Sequence, residues 1–370
     1  MDDLTTQQSE TERSEQAGPA SGDGSAQDPI VETAPLGFPW VSVDPFILTV
    51  HHHDRFPAGN ADMGPATTEG RRDVNADPST PGWSMYYGGV VPGFPEHPHR
   101  GFETITIARR GVIDHSDSLG ATARYGEGDV QWLTAGAGIQ HAEMFPLRHQ
   151  DGPNTTEIFQ IWLNLPAADK MVDPYFTMFW HEDLPRTVLK DGNGRATEVT
   201  VVAGAFGDIE PLAPPPDSWA SKMEADLAIW QFAAEAESEW SLPAAASRDT
   251  ERMLYLFEGS ATVGGHLLEA PVAALLRSEI SAGVAAGSDG ASILVLQARP
   301  LGEPVAMGGP FVMNTREEIA EAYRDFNATG FGGWPWSTPD PVHPRSTPRF
   351  AHHPDGRTEF PEDVDVDEDE

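Results

Sequence analysis

Two histidines two residues apart, His97 and His99, stand in the stretch FPEHPHRGFETITI, directly before a run that alternates like a strand. Further along, after enough chain to go out and return through several strands, His141 and Glu143 repeat the spacing in GIQHAEM. Side chains two apart in extended backbone point to the same side. If the two segments are neighbouring strands, they present three imidazoles and a carboxylate from one face. That set suits a borderline divalent metal with positions left for water or a substrate oxygen. Pro98 between the first two histidines fits an edge strand or a strand entry, because it has no N–H to give to a ladder.

Other residues compete for the same role. Glu103 lies four beyond His99 and, by alternation from His97, shares its face, so it is an alternative fourth ligand. Glu143 has the advantage of parity with His141 and a position beside Met144 and Phe145. In the triplet His51, His52, His53, alternation puts His51 and His53 on one face, and VDPFILTV before it reads as strand packing near the site. The isolated His115, His149, His181 and His266 read as structural or exposed residues.

The elements that must position these groups are short strands. The pieces TITIA, VIDHS, ATARY and QHAEM are β-prone and punctuated by glycine, and EIFQIWLNL is a stronger strand. The chain has 36 Gly and 33 Pro in 370 residues, which favours strands joined by tight turns in an antiparallel sandwich or barrel. A second strand-rich block runs from ATEVTVVAGAFG to ASILVLQARP in a broadly similar order, without an alignable repeat. Near the end, Asn314 or Thr315 offers an N-cap, Glu317 and Glu318 follow, and Ile319, Ala322, Tyr323 and Phe326 form an apolar stripe. The spacing predicts one helix packed on a barrel. The expected organisation is a disordered tail (1–35), a metal-binding domain (36–185), a second barrel without metal (186–330) and an extension ending in the acidic run PEDVDVDEDE (331–370).

Composition narrows the function. There is no cysteine, which excludes thiolate metal sites, disulfides and cysteine nucleophiles. Lys plus Arg is 23 against 58 Asp plus Glu, a formal net charge of −35, and Lys170, Lys190 and Lys222 are the only lysines. Such an excess repels nucleic acid and anionic membranes, and it suits a protein working in concentrated salt, which points to a halophilic host. The polar, acidic N-terminus carries no targeting pattern, and the apolar runs are far too short to span a membrane, so the cytoplasm is the expected location.

The segments FPEHPHRGFETITI, GDVQWLTAGAGIQHAEM, IWLNLPAADKMV and GEPVAMGGPFVMNTREEI together resemble the pirin family, a branch of the cupin superfamily of two-barrel proteins, over about residues 40–330. The resemblance implies an all-β fold of two packed cupin (jelly-roll-like) barrels with a C-terminal helix. It also implies that the first barrel holds the metal on His97, His99, His141 and Glu143, with Glu103 outside the ligand set. The second barrel has a single histidine, His266, and no His-x-His pair, so no metal is expected there.

By the same resemblance the expected activity is cleavage of quercetin-type flavonols with O2 and release of carbon monoxide. Fe(II) leads the metals; Ni, Mn, Cu and Zn are compatible with the same ligands. Phe94, Phe102 and Trp132 are expected to line an apolar pocket for a small aromatic substrate, Glu143 to accept the phenolic proton, and the long segment between His53 and Trp83 to cover the pocket mouth. The alternative is a metal-dependent, redox-sensing regulatory module with a protein partner, although the acidity of this chain argues against direct contact with DNA.

Overall fold

The computed structural model describes residues 28–73 and 80–361, and among these it is nearly all β-strand, with one α-helix of several turns. The acidic run beyond Pro361 and most of the expected N-terminal tail lie outside the described residues.

The end of that tail is a correction. Strand β1 (Ile30–Pro35) pairs antiparallel with Val272–Leu276 in the second half of the chain. Its side chains are mostly exposed, so backbone pairing along a sheet edge holds it. Two apolar residues at its start give no alternation to read, and the assignment of residues 1–35 to a tail therefore overran a strand.

The first barrel is a sandwich of two antiparallel sheets. Its strands are β2 (Phe46–Phe56), β3 (Gly93–His99), β4 (Phe102–Arg110), β5 (Val112–Asp117), β6 (Thr122–Gly126), β7 (Val130–Thr134), β8 (Ile139–Met144), β9 (Asn154–Asn164) and β10 (Tyr175–Phe179). One sheet runs β10-β7-β4-β9-β2, and in the other β3 is an edge strand followed by β8, β5 and β6. Strand β4, FETITIARR, is buried on both faces over most of its length. Thr104, Thr106 and Ala108 share the face toward the opposite sheet, while Ile105 and Ile107 point away from it into a core shared with the second barrel.

The second barrel curls one sheet around an apolar interior. It contains β11 (Arg186–Lys190), β12 (Ala196–Ala203), β13 (Ala228–Ala234), β14 (Glu239–Leu242), β15 (Glu251–Val263), β16 (His266–Glu269), β17 (Val272–Leu276) and β18 (Ala282–Ala298). The long strands β15 and β18 pair along nearly their whole length, with register shifts where the sheet bends. Between the barrels, Ile105, Trp132, Phe159 and Leu163 meet Met253, Tyr255, Leu294 and Leu296 in one continuous core.

The chain then returns to the first barrel. A hairpin, β19 (Ala306–Gly308) and β20 (Phe311–Met313), precedes α1 (Arg316–Thr329), which Thr315 and Glu318 start with a reciprocal capping box. Tyr323 and Phe326 of the helix pack their rings on Phe311, so the stripe covers this hairpin. Strand β21 (Phe350–His352) extends the β6 edge and pairs with β22 (Thr358–Glu359). Beneath the extension Arg124 is fully buried, bonded twice to Asp114 at 2.6 and 2.7 Å and to the carbonyls of His343 and Pro344. Residues 331–361 are thus a cover of the first barrel and not a loose appendage.

Candidate metal centre

Strands β3 and β8 are hydrogen-bonded neighbours with His97 directly opposite His141. A bulge between Phe94 and His97 shifts the register there. The three imidazoles of His97, His99 and His141 converge, with ring centroids 4.4, 4.8 and 4.9 Å apart. One nitrogen from each lies within 4.8 Å of the other two. Glu143 joins from the β8 side, with Oε2 3.8 Å from His141 Nε2, while Oε1 accepts from Thr106 Oγ1 at 3.3 Å.

Neighbouring carbonyls orient two of the rings. His97 Nδ1 pairs with the Pro95 carbonyl at 2.9 Å and His99 Nδ1 with the Pro310 carbonyl at 3.3 Å. A carbonyl can only accept, so each Nδ1 carries the proton and each Nε2 keeps its lone pair for the cluster. His141 is completely buried, yet neither ring nitrogen has a hydrogen-bond partner among the described residues. Leaving such a group unsatisfied costs about 1–3 kcal/mol, a cost that a coordinate bond to one nitrogen would offset. The donor set therefore fits a divalent metal.

Electrostatics agree with that fit. Burial pushes the His97 imidazole down to about 4, against the bond to Pro95 and helped by nearby His115. His99 and His141 lie well below the usual histidine range, first through burial and then through the other histidines. All three rings are neutral at pH 7, the form that binds metal. Burial raises the Glu143 carboxyl, opposed by His115 and by the bond from Thr106.

The turn after His99 is braced from behind. Gly101, at φ +84°, has room for no Cβ, which would lie 2.1 Å from the Val312 carbonyl. Buried Lys170 donates to the carbonyls of Gly101 and Val312 and to Asn164 Oδ1, at 2.8, 3.1 and 2.6 Å. Arg100 binds the Ala137 carbonyl and Asp325 and lies over the Phe331 ring. The hairpin that supplies the Pro310 carbonyl is tied in this way to the histidine strand.

Several expectations need correction. Glu103 is on the opposite face from the cluster: its oxygens accept from Thr134 Oγ1 at 2.7 Å and Ser218 Oγ at 2.6 Å, on the side of the second barrel. The turn at Arg100–Gly101 moves the chain from one sheet to the other, so alternation counted from His97 does not carry through it. Burial pushes the Glu103 carboxyl up to about 7 despite those two bonds. Trp132 pairs with Ile105 and faces the core between the barrels, not the cluster. Phe102 and Phe94 do lie beside it, 5.0 Å from His99 and 6.3 Å from His97.

The segment after His53 packs Met63 on Met144 and Val91, and Trp83 on Phe56, Met85 and Leu147. Its described residues cover the outer face of β8, the side opposite Glu143, and none of those packed here touches the cluster; residues 74–79 of the segment lie outside the described residues. His51 stacks on Phe159 and pairs with Glu157 at 3.1 Å on the interface side, whereas His52 turns inward to Tyr86 Oη at 2.8 Å. Sequence reasoning undervalued His115, whose ring lies 5.6 Å from His141 and stacks on Phe176. It also missed Thr106, Gln160, Trp162 and the Pro310 carbonyl. Only the pairing of β5 with β8, which sets His115 opposite Glu143, could have shown the first.

Two packed β-barrels with a histidine cluster inside one define a bicupin. The family model described as Pirin matches residues 74–163, and that described as Pirin C-terminal cupin domain matches residues 229–332. A relative from Pseudomonas aeruginosa, provisionally named a quercetin 2,3-dioxygenase, is 38% identical over 235 residues, 63% of this chain and 77% of the relative. A pirin-like protein of Solanum lycopersicum is 34% identical over 242 residues, 63% of this chain and 75% of its own. The solved structure of a quercetin 2,3-dioxygenase from Acinetobacter baumannii superposes with a TM-score of 0.62 at 28% identity, covering 82% of this chain and 96% of the other. The chain belongs to the pirin family.

Proposed function

We propose that the chain is a metal-dependent dioxygenase of quercetin-type flavonols, with His97, His99, His141 and Glu143 as ligands and Fe(II) as the metal. The observation that carries the ligand assignment is His141, buried with both nitrogens unpartnered at the centre of three converging imidazoles. The names of the relatives support the substrate class. A bound divalent metal supplies Lewis acidity that lowers the pKa of a phenolic oxygen and brings substrate and O2 together.

The chain's own residues do the rest. His97, His99 and His141 hold their lone pairs toward one point without needing to lose protons first. Glu143 would accept the phenolic proton when not held as a ligand: it is buried, its carboxyl is raised by that burial, and Thr106 lies against one oxygen while the other faces His141. The one hydroxyl proton of Thr106 is shared between Glu143 and Gln160 Oε1, 2.9 Å away. Phe94, Phe102 and Trp162, whose rings lie around His97 and His99, exclude water and offer flat apolar faces to an aromatic ring. His97 has partial exposure on an edge strand, so entry is from the β3 side.

The test is aerobic turnover of quercetin by the Fe(II)-loaded chain, following flavonol loss by absorbance and carbon monoxide by gas analysis. Stoichiometric carbon monoxide release, lost in Glu143→Ala, is expected. No release across Fe, Ni, Mn, Cu and Zn, with metal retained, contradicts the enzyme reading and leaves a metal-dependent regulatory module.

A further inference from the structure

We propose that the first barrel carries a second ligand site, a cleft that binds a small polyanion bearing phosphoryl or carboxylate groups through Arg148 and Arg110. The cleft has a volume of about 540 Å³ and is formed by the β4–β5 turn, the segment after β8, the start of β9 and the C-terminal extension. It lies apart from the histidine cluster, none of whose residues line it.

Its charge runs against that of the chain. The whole sequence has 23 Lys plus Arg against 58 Asp plus Glu, yet this cleft is lined by Arg110, Arg148, Arg345 and Arg349 with Glu127 as its carboxylate. Glu127 is already engaged, accepting from the Gly111 N–H at 3.0 Å. Arg349 is neutralised by Asp129 at 2.8 Å and Glu182 at 2.5 Å. Arg345 gives its N–H groups to the carbonyls of Leu147, Arg148 and Asn60, which fix its position and leave its charge unbalanced.

Arg148 is the decisive group. It is partly buried, its Nε donates to the Arg345 carbonyl at 3.0 Å, and among the described residues no carboxylate pairs with it or with Arg345. Two adjacent guanidiniums are thus held together with no carboxylate in contact, Asp114 and Glu127 acting on Arg148 only from longer range, and the terminal N–H groups of Arg148 are unspent. Burial, reinforced by Arg124 and Arg345 and only partly opposed by Asp114 and Glu127, lowers its affinity for its own proton. Arg110 adds a side chain that is 63% exposed and only loosely held by Glu157 at 3.5 Å, a carboxylate that Arg109 also engages.

An oxyanion in the cleft would relieve the repulsion and take the fork of Arg148 bidentately. A single phosphate would leave most of the space unfilled; the volume suits a metabolite-sized ligand, in the range of about 300–1,000 Å³ typical of such sites. The negative surface elsewhere does not forbid this, because charges beyond about 8 Å are screened at physiological salt while the arginines act in contact.

The proposal is tested by calorimetric titration of the metal-free full chain with pyrophosphate and, separately, with citrate. Saturable binding of at least one probe is expected, weakened tenfold or more by Arg148→Glu and by Arg110→Glu, and unchanged in His141→Ala. The stronger probe identifies the phosphoryl or carboxylate source. Arg110 is exposed, so its variant keeps the test valid if Arg148→Glu does not fold. No saturable binding of either probe overturns the proposal, as does binding unaffected in the folded arginine variants or lost in His141→Ala. The dioxygenase reading stands or falls separately.

Discussion

The two barrels share a fold and differ in what fills them. In the second, Phe206, Trp230, Phe232, Trp240, Leu254 and Leu256 pack into an apolar interior, with Phe206 and Trp230 rings 5.2 Å apart and Phe232 stacked on Trp240 at 6.0 Å. In the first, the space between the sheets holds His97, His99, His115, His141, Glu143, Thr104, Thr106 and Gln131. Among the described residues, buried polar atoms without partners on Thr104, His115, Gln131 and His141 collect there, against Trp240 Nε1 in the second interior. Protein interiors rarely tolerate such groups, so their concentration in one of two cavities of the same fold fits the proposed metal site there. The second barrel contributes rigidity: its outer face closes the core that holds β4, β7 and β9 in place.

That contrast can be broken by substitution. Leu254→Ala, in the second interior, should cost about 3 kcal/mol in chemical denaturation while the folded fraction keeps its metal. Lys170→Met removes three donors to buried oxygens behind His99 and should cost about 2 kcal/mol, but here metal affinity should fall as well. Equal behaviour of the two variants would deny the brace a role at the centre.

How much of this was legible in the sequence follows the same division. The histidine pair, its partner pair and the strand character of both could be read because period-two spacing acts locally. Glu103 and Trp132 were misplaced because the turn at Gly101 and the packing of a second barrel on the outer face are not local. A strand buried on both sides gives the same apolar reading whichever face bears the site. The strand Ile30–Pro35 escaped notice because edge pairing in an exposed segment leaves no hydrophobic trace. His115 reached the centre only through β5–β8 pairing, and the Pro310 carbonyl came from more than two hundred residues away, as the separation of 211 shows.

Acidity sharpens the comparison further. In the metal-free chain the buried histidines refuse protons that the unfolded chain accepts, so stability should fall as pH drops from about 6.5 toward the His97 value of about 4. Thermal midpoints should show a shallower decline in His141→Gln; identical slopes would contradict the assignment. Glu103 acts with opposite sign. Its folded carboxyl holds a proton up to about 7, so its contribution weakens as pH rises from the unfolded value near 4.5 through 7. Glu103→Gln should therefore raise stability at pH 8 by about 1 kcal/mol and leave metal content unchanged. Loss of metal in this variant would return Glu103 to the ligand set. The smallest effect is expected from His266→Ala, exposed on the second barrel, with stability within about 0.5 kcal/mol of the parent and no change in metal.

The central claim is that one barrel, through one histidine cluster, binds the metal. Elemental analysis by mass spectrometry of the purified chain beside His141→Ala tests it most directly. About one divalent ion per chain, absent from the folded variant, is the predicted result. Equal metal in both proteins, or two ions per chain, would contradict it.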